Sequence, residues 1–255
     1  MLMECLAAGR GICLPATAKA SSNSAFVGMW QYTKHRKQFK LPLMKMQGVQ
    51  DKLVNMLYNT WTIHCGIDMM NNILDNGEKP AVLSAIMKQQ TTDRAREVLN
   101  DAMDIHGGSA ICLGENNFLE KFYRSAPIGI TVEGSNVLTR NLIIFGQGLN
   151  KSHPHIFPIL ETILDDNYDV FQKRFRNILK HSVSLYFKAL SRSFSNSTLE
   201  NQTIVFANLA NFIALEGGKL KSDQMLSSTM ADILSNLYLA HSIQNYQIEY
   251  KILSL

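Results

Sequence analysis

Glu133 heads the stretch of this chain best suited to acid–base chemistry. It follows Ile130-Thr131-Val132 and precedes Gly134. An apolar, helix-like run from Val137 to Phe145 comes next, and Gly146-Gln147-Gly148 closes it. A carboxylate at the mouth of a buried helix can be drawn out of water. Burial strengthens a carboxylate's hold on a proton, which suits it to meet a weakly acidic carbon. The same acid can instead simply complement a helix dipole. Gly107-Gly108 alone reads as a helix C-cap. Arg36 with Phe39 alone reads as an amphipathic pair, and Lys34-His35-Arg36-Lys37 as a solvated helix end.

Other chemistries find less support. Gly146 and Gly148 follow a helical rather than a strand pattern and lack the third glycine of a dinucleotide fingerprint. No G-x-S-x-G elbow is present. His153 and His155 flank Pro154 without a carboxylate or cysteine set beside them, so they read as loop histidines, and no metal site is expected. The absence of a Glu-x-x-His pair argues against a four-helix metal protein. Cys5, Cys13, Cys65 and Cys112 form no C-x-x-C pair, a pattern that fits a reducing compartment.

The 255 residues carry 25 basic and 21 acidic side chains, net +4. An excess so small and dispersed argues against a nucleic-acid binder. The start, Met1-Leu2-Met3-Glu4-Cys5, lacks the basic region of a signal peptide. No apolar run reaches the roughly 18 residues of a membrane span. A cytoplasmic protein is expected, with peripheral contact at the inner membrane left open.

The elements that must position Glu133 read as helices throughout. A long helix covers 3 to 35, bent or started at Pro15. In 43 to 75, Met46, Val49, Leu53, Met56, Ile63, Ile67, Met70 and Leu74 recur at helical spacing, with a gap near Thr60. Asn76-Gly77 ends that helix and Pro80 opens the next, whose stripe is Ala95, Val98, Leu99, Ala102 and Met103. A looser segment with a short helical turn through Phe118, Leu119, Phe122 and Tyr123 ends at Pro127. A helix headed by Glu133 then runs to about Phe145, and the stretch from Gly146 to His155 reads as a break. Further helices are expected around 171–190, 199–215 and from Gln224, with Ser191 to Ser197 as a loop. No useful β-alternation appears. The fold expected is all-α, two helical bundles in series, divided into residues 1–150 and 151–255.

Taken together and in order, these pieces resemble the C-terminal helical half of the acyl-CoA dehydrogenases, and among them the large bacterial fatty acyl-CoA dehydrogenases that append a further helical domain. The resemblance is carried by Ala8-Gly9-Arg10-Gly11-Ile12-Cys13-Leu14-Pro15 and Arg36-Lys37-Gln38-Phe39-Lys40-Leu41-Pro42. It continues in Asp101-Ala102-Met103-Asp104-Ile105-His106-Gly107-Gly108, in Ile130 to Arg140, in Phe145-Gly146-Gln147-Gly148 and in His153-Pro154. The tail, Gly217 to Lys221 with Met230 to Ser235, resembles the appended domain.

The resemblance implies a FAD-dependent enzyme that introduces an α,β double bond into fatty acyl-CoA during β-oxidation and passes electrons to an electron-transferring flavoprotein or similar acceptor. It implies that Glu133 is the catalytic base and that its backbone N–H polarises the thioester carbonyl. Arg36, Phe39, Gly107 and Gly108 match positions that contact FAD, typically that of a neighbouring subunit, so a homo-oligomer or a partner carrying the missing domains is implied. Arg10 and Gly134 match positions near the substrate. Asp104, Ser135, Val137 and Lys40 depart from residues usual in smaller members. The family's N-terminal helical domain and middle β-domain are not among these 255 residues. The chain is therefore expected to be a C-terminal portion, with its appended domain incomplete and little activity by itself. A catalytically inactive helical scaffold is the alternative.

Overall fold

The computed structural model describes residues 7–164, 167–194 and 198–250. Two compact units result: residues 1–136 with 242–255, and residues 137–241.

The first unit is built on three long helices. α1 (Ala7–His35) runs unbroken through Pro15. Sequence punctuation predicted a bend or start there. An interior proline costs a helix about 3 kcal/mol, and the packing of α1 along α3, the most extensive helix pairing in the chain, outweighs it. The expected residues 3–6 and Cys5 lie outside the described residues. After α1 comes a hairpin too short for alternation to reveal, β1 (Lys37–Gln38) against β2 (Leu41–Pro42), antiparallel, with Lys37 opposite Pro42. Its turn residues Phe39 and Lys40 both take positive φ, 50° and 65°, as a tight two-residue hairpin demands.

A 3-10 turn (Leu43–Lys45) leads into α2 (Gln47–Asp75), and α3 (Ala81–His106) follows. The gap in the apolar period of α2 is a polar layer of the core. Asn59, Thr60 and Thr62 are buried there. Asn59 accepts from Arg94 Nη1 at 2.7 Å and donates to Glu97 Oε2 at 3.3 Å. Beside this layer, Ala25, Met29, Leu53, Met56, Val98, Leu99, Ala102 and Ile105 pack into one apolar cluster.

The loop after α3 is organised by Asn117. Its Oδ1 accepts from the N–H groups of Leu119 and Glu120, and its Nδ2 donates to the carbonyls of Ala110 and Cys112. That cap starts α4 (Glu120–Thr131), which passes through Pro127 instead of ending there. The helix stops at Val132, whose extended ψ of 159° leads into Glu133 at φ 53° and Gly134 at φ 95°. Glu133 therefore occupies a left-handed turn. The helix expected to begin at Glu133 begins at Asn136, as the short turn α5 (Asn136–Leu138).

In the second unit, a π-helical stretch (Thr139–Gln147) runs straight into α6 (Gly148–Ser152). The break expected at Gly146 is absent. A Cβ at Gly146 would stand 3.0 Å from Ser227 Oγ, so the glycine permits close packing instead of ending a helix. The chain turns at His153, and α7 (Ile156–Leu164), α8 (Tyr168–Ser193), α9 (Leu199–Ile213) and a 3-10 segment (Ala214–Lys221) kinked at Gly217 follow. α8 extends through Ser193, part of the expected loop, and residues 195–197 lie outside the described residues. The last helix, α10 (Gln224–Glu249), crosses from the second unit into the first at residue 242. Arg140 and Asp232 form a two-point ion pair within the second unit. Among the described residues no helix is long and apolar enough to cross a membrane.

Candidate active site

Three elements of the first unit converge on Glu133. α4 delivers it, α1 approaches its main chain and α3 lies beneath the turn. From α1, Arg10 donates from Nη2 to the Glu133 carbonyl at 2.7 Å, with only 3% of the arginine exposed. The glutamate Oε1 lies 3.4 Å from where a Cβ on Gly9 would stand. Its Oε2 is buried and has no hydrogen-bond partner, and neither has the buried Arg10 Nε.

From α3, Lys88 reaches the turn from below, fully buried. Its Nζ donates to the carbonyls of Ile130 at 3.3 Å and Gly134 at 2.7 Å, and to Asn136 Oδ1 at 2.5 Å. Asn136 Nδ2 in turn donates to Thr92 Oγ1 at 2.9 Å and Asp93 Oδ1 at 2.7 Å, while Asp93 Oδ2 accepts from Gln89. Burial pushes the Lys88 ammonium down to about 8. Asp93 and Glu133 oppose that shift and Arg10 adds to it.

A carboxylate oxygen out of water and unpartnered, on a turn held by two buried cationic side chains, can accept a proton from a ligand that covers it. Of the residues singled out in the sequence, Arg10, Glu133 and Gly134 meet here. Lys88 and Asn136 were missed. The available signal was helical spacing: Lys88 falls on the inward stripe of Ser84, Ala85, Thr92 and Ala95, where a lysine is out of place unless it has partners.

Arg36, Phe39, Gly107 and Gly108 form a separate group at the other end of α1. The edge contact of Tyr32 with His106, centroids 4.7 Å apart, joins the ends of α1 and α3 there. Arg36 is exposed on the hairpin, and Phe39 at its tip is 89% exposed. Gly107 has φ 67° and ψ −145°, a conformation open essentially to glycine alone. No atom stands within 4 Å of where a Cβ would sit on Gly107 or Gly108. Between Arg10 and the end of α1 the rise of 1.5 Å per residue amounts to roughly 40 Å. The long helix expected over 3 to 35 already sets Arg10 and Arg36 at opposite ends; that Gly107-Gly108 joins the Arg36 end follows only from the packing of α3 along α1.

His153 is a turn cap. Its Nδ1 accepts from the N–H groups of His155 and Ile156, and its Nε2 pairs with Asn211 Oδ1 at 2.6 Å. Among the described residues no group of three or more His, Cys, Asp or Glu side chains could hold a metal ion.

Residues 1–146 match the family model "Acyl-CoA dehydrogenase, C-terminal domain", and residues 150–249 match "Acyl-CoA dehydrogenase, C-terminal, bacterial type". The chain belongs to the acyl-CoA dehydrogenase family. Among curated members, a 3-(aryl)acrylate reductase of Clostridium sporogenes is 29% identical over 141 residues, covering 55% of this chain and 37% of that protein. A cyclohex-1-ene-1-carbonyl-CoA dehydrogenase of Geobacter metallireducens is 27% identical over 140 residues, covering 54% and 36%. The chain thus spans little more than a third of the length of either relative. Among solved structures, an acyl-CoA dehydrogenase complexed with FAD from Bacillus anthracis shares the fold over 99% of this chain and 44% of that one, with TM-score 0.69 and 20% identity. Butyryl-CoA dehydrogenase from Megasphaera elsdenii aligns with TM-score 0.51 and 29% identity over 58% of this chain and 37% of its own.

Proposed function

We propose that this chain carries the base and part of the flavin-binding surface of a FAD-dependent acyl-CoA dehydrogenase acting in fatty-acid β-oxidation in the cytoplasm. One observation carries the reading: the Glu133 carboxylate has an oxygen sealed from water without a partner, on a turn tied down from two sides. Glu133 takes the α-proton of the acyl-CoA thioester. Arg10 holds the carbonyl of that residue, and Gly134 leaves the turn open to the substrate. FAD held there would supply the acceptor for the β-hydride, with an electron-transferring flavoprotein or similar protein as the partner that takes the electrons.

The second group suits an elongated dinucleotide. Arg36 offers an exposed guanidinium for a pyrophosphate, Phe39 an exposed ring, and Gly107-Gly108 an open main chain. These residues lie roughly 40 Å along α1 from Arg10, which holds the Glu133 turn. We assign them to the flavin of a second copy, which makes the working form a homo-oligomer.

A catalytically inactive scaffold is the second reading, favoured by the exposed apolar face of α8 at Phe175, Leu179, Val183, Phe187 and Leu190. Deuterium exchange at the acyl-CoA α-carbon separates the two, because it reads the base without an electron acceptor. In the chain assembled with the flavin-bearing domains of a relative, Glu133→Gln is expected to slow exchange about 10²–10⁴-fold. Flavin absorbance and assembly should be unchanged. Equal rates in the two proteins would remove Glu133 from the role. No exchange in either, with assembly intact, supports the scaffold.

A further inference from the structure

Lys88 is fully buried, and its ammonium has three N–H donors facing three acceptors. None of the acceptors belongs to its own helix. They bracket Glu133: the Ile130 carbonyl in the last turn of α4, the Gly134 carbonyl just after the glutamate, and the Asn136 side chain at the start of α5. The carbonyl end of α4 favours a cation there. A lysine that only filled space would be a poor choice, since methionine fills the same volume without taking a charge out of water. Asn136 is itself anchored to Thr92 and Asp93, so the contact leads back to rigid helix on both sides.

We infer that Lys88 is a positioning residue whose three N–H groups hold the left-handed turn at Glu133 and so fix where its carboxylate points. The inference rests on the reading of Glu133 as the base. Removing the third donor loosens the turn, because a neutral amine has two N–H groups for three acceptors. The charged groups facing Lys88 are Asp93 from its own helix, Arg10 from α1 and Glu133 from the turn. Their balance with burial brings deprotonation to about 8. The turn is therefore tightest below that pH.

The test is carbonyl and side-chain ¹³C NMR of the full 255-residue chain from about pH 6 to about pH 10. The Ile130 and Gly134 carbonyl resonances and Glu133 Cδ are expected to move together with a midpoint near 8. In Lys88→Met that common transition disappears and the turn amides exchange at least about tenfold faster, while amides of α2 keep their protection. Lys88→Arg keeps the charge and removes the transition from this pH range. In Glu133→Gln the two carbonyls still titrate together, with a midpoint below the wild-type one, because the glutamate charge no longer favours the ammonium. The holding role and the base role can thus fail separately: loss of exchange catalysis tests the base, and the carbonyl titration tests Lys88. If Lys88→Met does not fold, the turn-amide exchange of Lys88→Gln, expected to be at least about tenfold faster than wild type, decides. Flat Ile130 and Gly134 resonances across the range, or turn amides in Lys88→Met that exchange at the wild-type rate, would overturn the inference.

Discussion

α3 and α8 are both 26 residues long, yet α3 buries fourteen side chains and α8 buries only Ala189. α8 has the clearer separation of apolar and polar faces. α3 buries Lys88, Gln89, Thr91 and Thr92, polar side chains that residue type alone would assign to solvent. The contrast shows that amphipathic patterning measures how many partners a helix expects, and burial measures how many it has. α3 is enclosed by α1, α2 and α4, so even its polar face needs partners, and those partners are what shape the Glu133 turn. α8 packs on α7 and α9 and leaves a second apolar stripe outside.

The largest effect that can break this contrast is a matched truncation. Met56→Ala, at a fully buried position beside α3, is expected to cost the first unit about 2–5 kcal/mol in chemical denaturation. Leu179→Ala on the exposed stripe of α8 is expected to change stability by less than about 0.5 kcal/mol. A comparable loss at Leu179 would mean that the α8 stripe is covered in solution.

The next test concerns the polar side of α3. Burial lowers the Lys88 ammonium to about 8 in the folded chain, from the ordinary lysine value of 10.5. Between those values the unfolded chain binds more protons, so stability from this group rises with pH across that window. The total gain is on the order of 3 kcal/mol. Below 8 the cost of burying the charge is present in full. Denaturation of wild type and Lys88→Met at several pH values should show the difference narrowing or widening only in this window, in the wild type's favour as pH rises. A constant difference would place the Lys88 charge in contact with water.

The smallest effect compares the backbones. Gly107 in the first unit and Gly217 in the second both have positive φ, 67° and 55°, with open space where a Cβ would go. Alanine at either strains the main chain by about 1–3 kcal/mol without a clash. Gly107→Ala is expected to lower the melting temperature more, because the surrounding unit is more closely packed. Equal shifts would show that the second unit holds its backbone as stiffly.

Much of the fold was legible because long helices advertise themselves through spacing and punctuation. The ends of α2 at Asn76-Gly77 and of α3 at Gly107 followed from local conformational preference. The misreadings share one cause. Pro15 and Pro127 read as breakers, and Gly146 as the end of a helix, from local cost alone. In each case a helix continues, and at Pro15 and Gly146 the residues packed alongside show why. The hairpin at Phe39-Lys40 is too short to carry an alternating signal.

The candidate site divides in the same way. That Glu133 is an acid followed by a glycine, in register with Arg10, Arg36 and Gly107-Gly108, is a property of the order of residues and needs no coordinates. Its left-handed backbone, the unpartnered Oε2, the Lys88 ammonium under the turn and the meeting of Gly107-Gly108 with the Arg36 end of α1 arise only when α1, α3 and α4 pack. Sequence determines residue type and periodicity, which depend on neighbours in the chain. Burial, hydrogen-bond partners and distance depend on residues far apart in the chain, and only the tertiary structure decides those.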